Sequence, residues 1–374
     1  MASLFLQHLK PKHSAVSRVS KVWRKAWMTT VAKQPWLRPA PTQPASLESV
    51  RNVDEMTVLP DGERLYVATQ RGDVDDGDTY DLVLLDRSFN VLERQTDLPT
   101  ATPGDCPHML VTQHGFYEWV DQECSPDYDA FEVDGSIRRF GLNENGTVDV
   151  GQELAENLLP YRVEDVVAAA DGTLFVRATE AGGEEGFFAD NHPEIEGRDD
   201  HFVAVHDPLT LHERLRFGSD HLSAGTAGLP ICVVGTELYV SDYVRGDQPY
   251  VRFQVFSLTG EYLRVVRVNA MDVNMTLGSL TFVNEHLYAV VEPRGRRPRI
   301  IVLTPQGTKV QSYRHASFQP GSAVPFAGGL AIAAAKPRLS DAARARAGER
   351  VLAAISRLPI ANYVGVLLLD GLYA

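Results

Sequence analysis

The sequence predicts an all-β fold, a six-bladed β-propeller, on three observations. Six times an apolar stretch runs into a tight turn and is followed by a short β-rich run, from Met56–Leu59 with Leu65–Val67 to Ala323–Phe326 with Leu330–Ala333. Anchor residues on the second run of each unit, Tyr66, Tyr117, Phe175, Tyr239, Tyr288 and Ala331, are separated by 51, 58, 64, 49 and 43 residues. A third apolar run follows each anchor after a loop, and Thr259-Gly260, Gln306-Gly307 and Asp370-Gly371 supply hairpin residues that tolerate positive φ. Four antiparallel strands per 43 to 64 residues make one propeller blade.

The units justify themselves in order. First and second strands meet at Pro60-Asp61-Gly62, Gln113-His114-Gly115 and Ala170-Asp171-Gly172 in the first three. Third strands are expected at Leu82–Leu85, Ile137–Phe140, Phe202–Val205, Phe253–Phe256, Ile300–Leu303 and Val364–Leu369. Only Leu372-Tyr373-Ala374 follow the last turn, so the sixth unit is one strand short. An uncovered edge invites pairing with other chains, and residues 46–52 are expected to close it. A helix is expected in the last insertion, with Ser340 as N-cap, Asp341 in its first turn and Pro359 past its end. Its apolar stripe of Ala347, Val351, Leu352, Ile355 and Leu358 suits a partial lid.

Two parts are expected: residues 1–45, a basic leader and Pro-rich linker, and residues 46–374, the propeller. Val16, Val19, Trp23 and Trp27 recur at helical spacing opposite Arg18, Lys21 and Lys25. Such a segment reads as a targeting peptide, a peripheral surface anchor, a disordered tail or an early start preceding Met28. Pro35, Pro39, Pro41 and Pro44 then isolate it, so deleting residues 1–40 is expected to leave the melting temperature unchanged.

Charge narrows the partners. The net charge is −13, yet the first 47 residues hold eight Lys and Arg and no acid, which leaves 28 basic against 49 acidic residues beyond. A body that acidic repels phosphate backbones, so no nucleic-acid partner is expected. No apolar run reaches the roughly 20 residues of a membrane-spanning helix, and no secretory signal is present, so a cytoplasmic monomer is expected. Cys106, Cys124 and Cys232 form no CxxC pair, which removes zinc ribbons and thioredoxin-like motifs. Antiparallel pairing across His114-Gly115 would set Cys106 opposite Cys124, a disulfide candidate in an oxidising compartment, while Cys232 stays a buried thiol. There is no GxSxG elbow, HExxH helix, P-loop or GxGxxG turn.

Residues 236–266, TELYVSDYVRGDQPYVRFQVFSLTGEYLRVV, resemble an NHL-type repeat, with Asp242 at its aspartate and Arg252-Phe253-Gln254-Val255-Phe256 at its Arg-Ile-Gln-Val-Phe run. The resemblance implies the six-bladed, TolB-like group, whose members range from passive binding scaffolds to calcium-dependent lactonases. Fold membership does not choose between these.

Loops do carry a preference. Turns between first and second strands are short, whereas segments 68–81, 121–136, 178–200, 241–251, 292–299 and 334–362 open on the opposite face and are long. Insertions gathered on one face of a rigid scaffold build binding surfaces, which points to a protein, peptide or glycan ligand. Aligning the units puts Glu55, His108 and Asp165 at the entrance of the innermost strands, with Ser279 and Ser322 in units five and six. Asp121 and Asp242 end second strands on the same face. The carboxylates Glu55, Asp165, Asp121 and Asp242 would suit Ca²⁺, with His108 as a general base, in the manner of the lactonase branch. That branch uses Asn ligands, and an imidazole at His108 departs from it. The Asp73–Asp78 loop resembles an acidic Ca²⁺ loop but lacks its bidentate Glu, and His192, His201 and His206 read as ordinary loop and strand residues.

Overall fold

The computed structural model describes residues 37–39, 53–70, 79–99, 108–121, 135–143, 145–180, 201–223, 229–244, 250–271, 275–293, 298–313, 319–326, 329–335 and 365–371. Strand β1 is Leu37–Pro39. Five sheets follow, each a meander of four consecutive antiparallel strands. They are β2–β5 (Val53–Val58, Arg64–Gln70, Thr79–Asp86, Val91–Pro99) and β6–β9 (His108–Thr112, Gly115–Asp121, Gly135–Leu142, Val148–Leu159). Next come β10–β13 (Arg162–Ala168, Leu174–Thr179, His201–His206, Glu213–Phe217) and β14–β17 (Ile231–Val234, Glu237–Val244, Tyr250–Ser257, Tyr262–Arg267). The fifth is β18–β21 (Met275–Val283, His286–Pro293, Arg299–Leu303, Lys309–Tyr313). A further four-stranded sheet joins β22 (Gln319–Phe326), β23 (Gly329–Ala335) and β24 (Gly365–Gly371) to β1 in the order β1-β24-β23-β22.

Burial explains the strand patterns. Third strands such as β4 and β12 are covered on both faces and read as unbroken apolar runs, whereas outer strands such as β13 and β17 are largely exposed. Apolar clusters form between successive sheets. One joins Tyr66, Leu82 and Leu84 to Met109, Phe116 and Phe140, and another joins Phe175, Val203 and Val205 to Ile231, Leu238 and Phe256. The ring closes where Met56, Val67 and Val83 pack on Phe326, Ala331 and Ala333. First strands touch their successors in chain order, and β22 touches β2. The chain is a β-propeller.

The anchors add polar ties to this packing. Tyr66 is buried, donates its hydroxyl to Gly146 O at 3.1 Å and accepts from Val148 N at 2.9 Å, binding the first sheet to the second. Tyr117 repeats the device one sheet on, donating to Pro208 O at 2.7 Å. Each satisfies a hydroxyl that burial would otherwise leave costly.

The last sheet corrects the expected closure. Leu37–Pro39 pair with β24 (Leu37 with Gly371, Arg38 with Asp370, Pro39 with Leu369), so the edge partner enters upstream of residues 46–52, from within the Pro-rich stretch. An edge strand accepts Pro39 because one of its sides carries no ladder. Residues 46–52 lie outside the described residues, as does the helix expected at 340–358. Among the described residues there is no helix, and none long and apolar enough to cross a membrane.

The two ends of the ring differ. First-to-second strand connections hold two to five residues, whereas second-to-third connections hold five to 29. At the short end the backbone does the work. Asn284 and Glu285 both take positive φ (48° and 65°) in a two-residue turn, the geometry that matches strand twist in a hairpin. Gly172 (φ 88°) lets His114 cross from the neighbouring sheet to Asp171 O at 2.8 Å, where a Cβ would stand 2.2 Å from the imidazole.

Candidate functional site

The register defines one layer at the long-loop end. The anchors face Thr57, Leu110, Val167, Cys232, Thr281 and Val324 on the first strands. Two residues upstream stand Glu55, His108, Asp165, Pro230, Ser279 and Ser322. The ladder shifts register between Val53 and Glu55, Val163 and Asp165, Leu277 and Ser279, and Pro320 and Ala323. A bulge re-aims the side chain beside it, and four of the six first strands carry one here.

Glu55 and His108 meet. His108 Nδ1 lies 3.0 Å from Glu55 Oε2, and Glu55 Oε1 accepts from Met56 N at 3.0 Å. Glu55 is 22% exposed and His108 47%, so the pair opens to solvent. The imidazole stacks on the Trp119 indole with centroids 5.5 Å apart and planes at 18°. Trp119 is 5% exposed, and its Nε1 has no hydrogen-bond partner. The Oγ atoms of Ser279 and Ser322 are likewise buried and unpartnered.

Asp165 sits one sheet beyond His108. Its Oδ2 accepts from Ile231 N at 2.7 Å and its Oδ1 from Val166 N at 2.9 Å. Burial pushes its carboxyl up to about 6, with Glu55 adding to the rise, against the pull of the two N–H groups and of His108. Asp165 therefore changes charge close to neutral pH and is coupled to both members of the pair. Cys232 lies beside it as a buried free thiol, pushed up to about 12 by burial and by the Asp165 charge, which makes it a poor nucleophile.

Of the expected site residues, the structure brings Glu55, His108 and Asp165 into one neighbourhood. Asp242 belongs to another: it is fully buried on β15, takes Arg252 Nε at 2.7 Å and Ser223 N at 3.0 Å, and faces Arg252 across the ladder. Two of the residues on which the NHL resemblance rests, Asp242 and Arg252, thus form an ion pair within the sheet. Asp121 ends β7 opposite Gly135, described in its backbone alone. Cys106, Cys124, the Asp73–Asp78 loop and His192 lie outside the described residues. His201 and His206 project from opposite faces of β12, to Glu164 and Thr179 in one case and to Tyr161 and Leu211 O in the other.

Three of the four carboxylates expected to hold Ca²⁺, Glu55, Asp165 and Asp242, already have internal partners. Among the described residues no three His, Cys, Asp or Glu side chains gather to hold a metal. Asp165 already serves two N–H groups, Glu55 serves Met56 and His108, and an imidazole is a weak donor to a hard cation.

Sequence reasoning missed a second polar cluster at this end. Glu164, 1% exposed, meets Arg177 Nε at 2.6 Å, Thr179 Oγ1 at 2.6 Å and His201 Nδ1 at 3.4 Å. Thr179 ends β11 and His201 begins β12, so Glu164 clasps both feet of the connection 180–200. His201 and Thr179 are set by register, but only the fold shows that Arg177 is fully buried.

No protein-family model and no curated protein matches the chain. Among solved structures, the chain is similar to the WD40 β-propeller domain of Doa1, at 9% identity and TM-score 0.43 over 75% of each chain. It is also similar to a putative 6-phosphogluconolactonase from Bacteroides uniformis, at 14% identity and TM-score 0.42 over 76% of this chain and 80% of that one.

Proposed function

We propose that this protein is a six-bladed propeller that acts as a binding scaffold, taking a protein, peptide or glycan ligand on its long-loop face. The sixth blade in this reading is the sheet completed by β1. The observation that carries it is the coincidence of two features at one end of the ring. The long connections and the half-exposed Glu55–His108 pair, backed by Trp119 and Asp165, share that end. A rigid scaffold with polar groups exposed at the centre of a loop-rich face is the arrangement that recognition requires.

One observation favours a hydrolase instead: Glu55 orients His108 as a carboxylate orients a general base. Glu55 and Asp165, the carboxylates described at this end, are each engaged by internal partners through both oxygens, which supports placing the scaffold first. The test is capture of ligands by the full chain on peptide and glycan arrays, beside lactone hydrolysis with and without Ca²⁺. Capture that is lost in His108→Ala supports the scaffold, and Ca²⁺-dependent turnover overturns it.

A further inference from the structure

Hydrogen-bond accounting at the inner layer narrows the ligand within the scaffold reading, on which this inference rests. Glu55 and Asp165 spend one acceptor site per oxygen on internal partners, and a carboxylate oxygen has capacity for more. Ser279 Oγ, Ser322 Oγ and Trp119 Nε1 are buried donors with no partner, and Trp119 is 5% exposed as a whole. Buried polar groups are paired in the great majority of cases, so these orphans, Ser279 and Ser322 on the touching first strands β18 and β22 and Trp119 on β7, call for an explanation.

We propose that the long-loop end of the inner ring binds the ring of a neutral sugar, held between the carboxylates of Glu55 and Asp165 and the hydroxyls of Ser279 and Ser322. Spare acceptors stand on the first and third blades, and spare donors on the second, fifth and sixth. A ligand that satisfies both needs donors and acceptors closely spaced and no net charge. A sugar hydroxyl supplies one donor and two acceptor sites at each carbon. A cation would meet the carboxylates and leave the three donors unmet. An anion would meet the donors and oppose Glu55 and Asp165. His108, laid flat on Trp119 and half-exposed, offers a planar surface for the apolar face of the ring. Pro230, on the fourth blade, brings no polar side chain to the layer.

The test uses the full chain and free D-glucose, D-galactose and D-mannose, with L-lysine and D-gluconate as the charged counterparts, read by saturation-transfer NMR and calorimetry. At least one hexose is expected to bind, with neither charged probe competing for it. Ser279→Ala and Ser322→Ala should each weaken that hexose by about fivefold or more, while leaving the melting temperature equal or higher. A hydroxyl kept only for structure would not give that pairing of effects. Ser279→Cys and Ser322→Cys, closer in volume, serve where an alanine variant fails to fold. Absence of hexose binding, preference for lysine or gluconate, or serine variants with undiminished hexose affinity would each overturn the proposal. An array ligand lost in His108→Ala, with no hexose bound, rejects the sugar and leaves the scaffold in place.

Discussion

Asp165 on β10 accepts the backbone N–H of Ile231, the first residue of β14, at 2.7 Å. One carboxylate therefore ties the third sheet to the fourth at the inner ring, and it does so from a buried position that raises its own affinity for a proton.

That tie has a pH signature. The folded-state value of about 6 lies above the unfolded 3.8, so between these limits the folded protein holds a proton that the unfolded chain has lost. Stability contributed by this group is then highest at acid pH and falls as pH rises from about 4 to about 6, by an amount on the order of 3 kcal/mol at most. Urea melts from pH 4 to 7 should show the decline in the wild-type protein and not in Asp165→Asn. A wild-type profile parallel to that of Asp165→Asn across this range contradicts the coupling.

The Asp242–Arg252 pair predicts a different outcome. Asp242 is fully buried and Arg252 19% exposed, so Asp242→Ala strands a largely buried guanidinium. The loss should be about 3 kcal/mol or more, read as a shift of the urea midpoint. The double change Asp242→Leu with Arg252→Met should recover much of it, because neither charge is then left alone. Activity of the long-loop face is expected to be indifferent to both.

These two residues also show how far the sequence was legible. The repeat, the anchors and the first strands follow from periodicity, since an apolar run, a turn and a second run are local events. Glu55, His108 and Asp165 could be aligned because the register is set by the turn a few residues away. The role of Asp242 could not be read, since its end-of-strand position fits a ligand and an ion pair equally, and its partner Arg252 is fixed only once β15 and β16 pair. Closure by Leu37–Pro39 escaped for a related reason: a proline-rich stretch carries no strand signal of its own, and its pairing with β24 is contact across the full length of the chain.

Glu164 supplies an acid-side prediction. Its carboxyl is depressed below the usual value: burial alone would raise it, but the bonds and charges of His201, Arg177 and Thr179 win. Its contribution is present above about pH 4.5 and is lost as pH falls through the lower folded value. Glu164→Gln should cost about 3 kcal/mol or more at pH 7, since Arg177 is left charged at 0% exposure, and should flatten the acid limb of the stability profile. Limited proteolysis within 180–200 should speed up in the variant, because a neutral amide holds Thr179 and His201 less strongly than the carboxylate does.

Truncation at the amino terminus separates the leader from the closure. Deleting residues 1–36 removes most of the basic stretch and leaves β1, so the melting temperature should stay within about a degree. Deleting residues 1–40 also removes Leu37–Pro39 and opens the outer edge of β24, a strand with the apolar run Val366-Leu367-Leu368-Leu369. An open apolar edge is a template for pairing with another chain. The longer deletion should therefore lower the melting temperature by about 2 °C or more and raise the aggregated fraction in light scattering, while the shorter does neither. Equal behaviour of the two truncations would show that β24 does not depend on β1, and that the last sheet holds its edge with three strands.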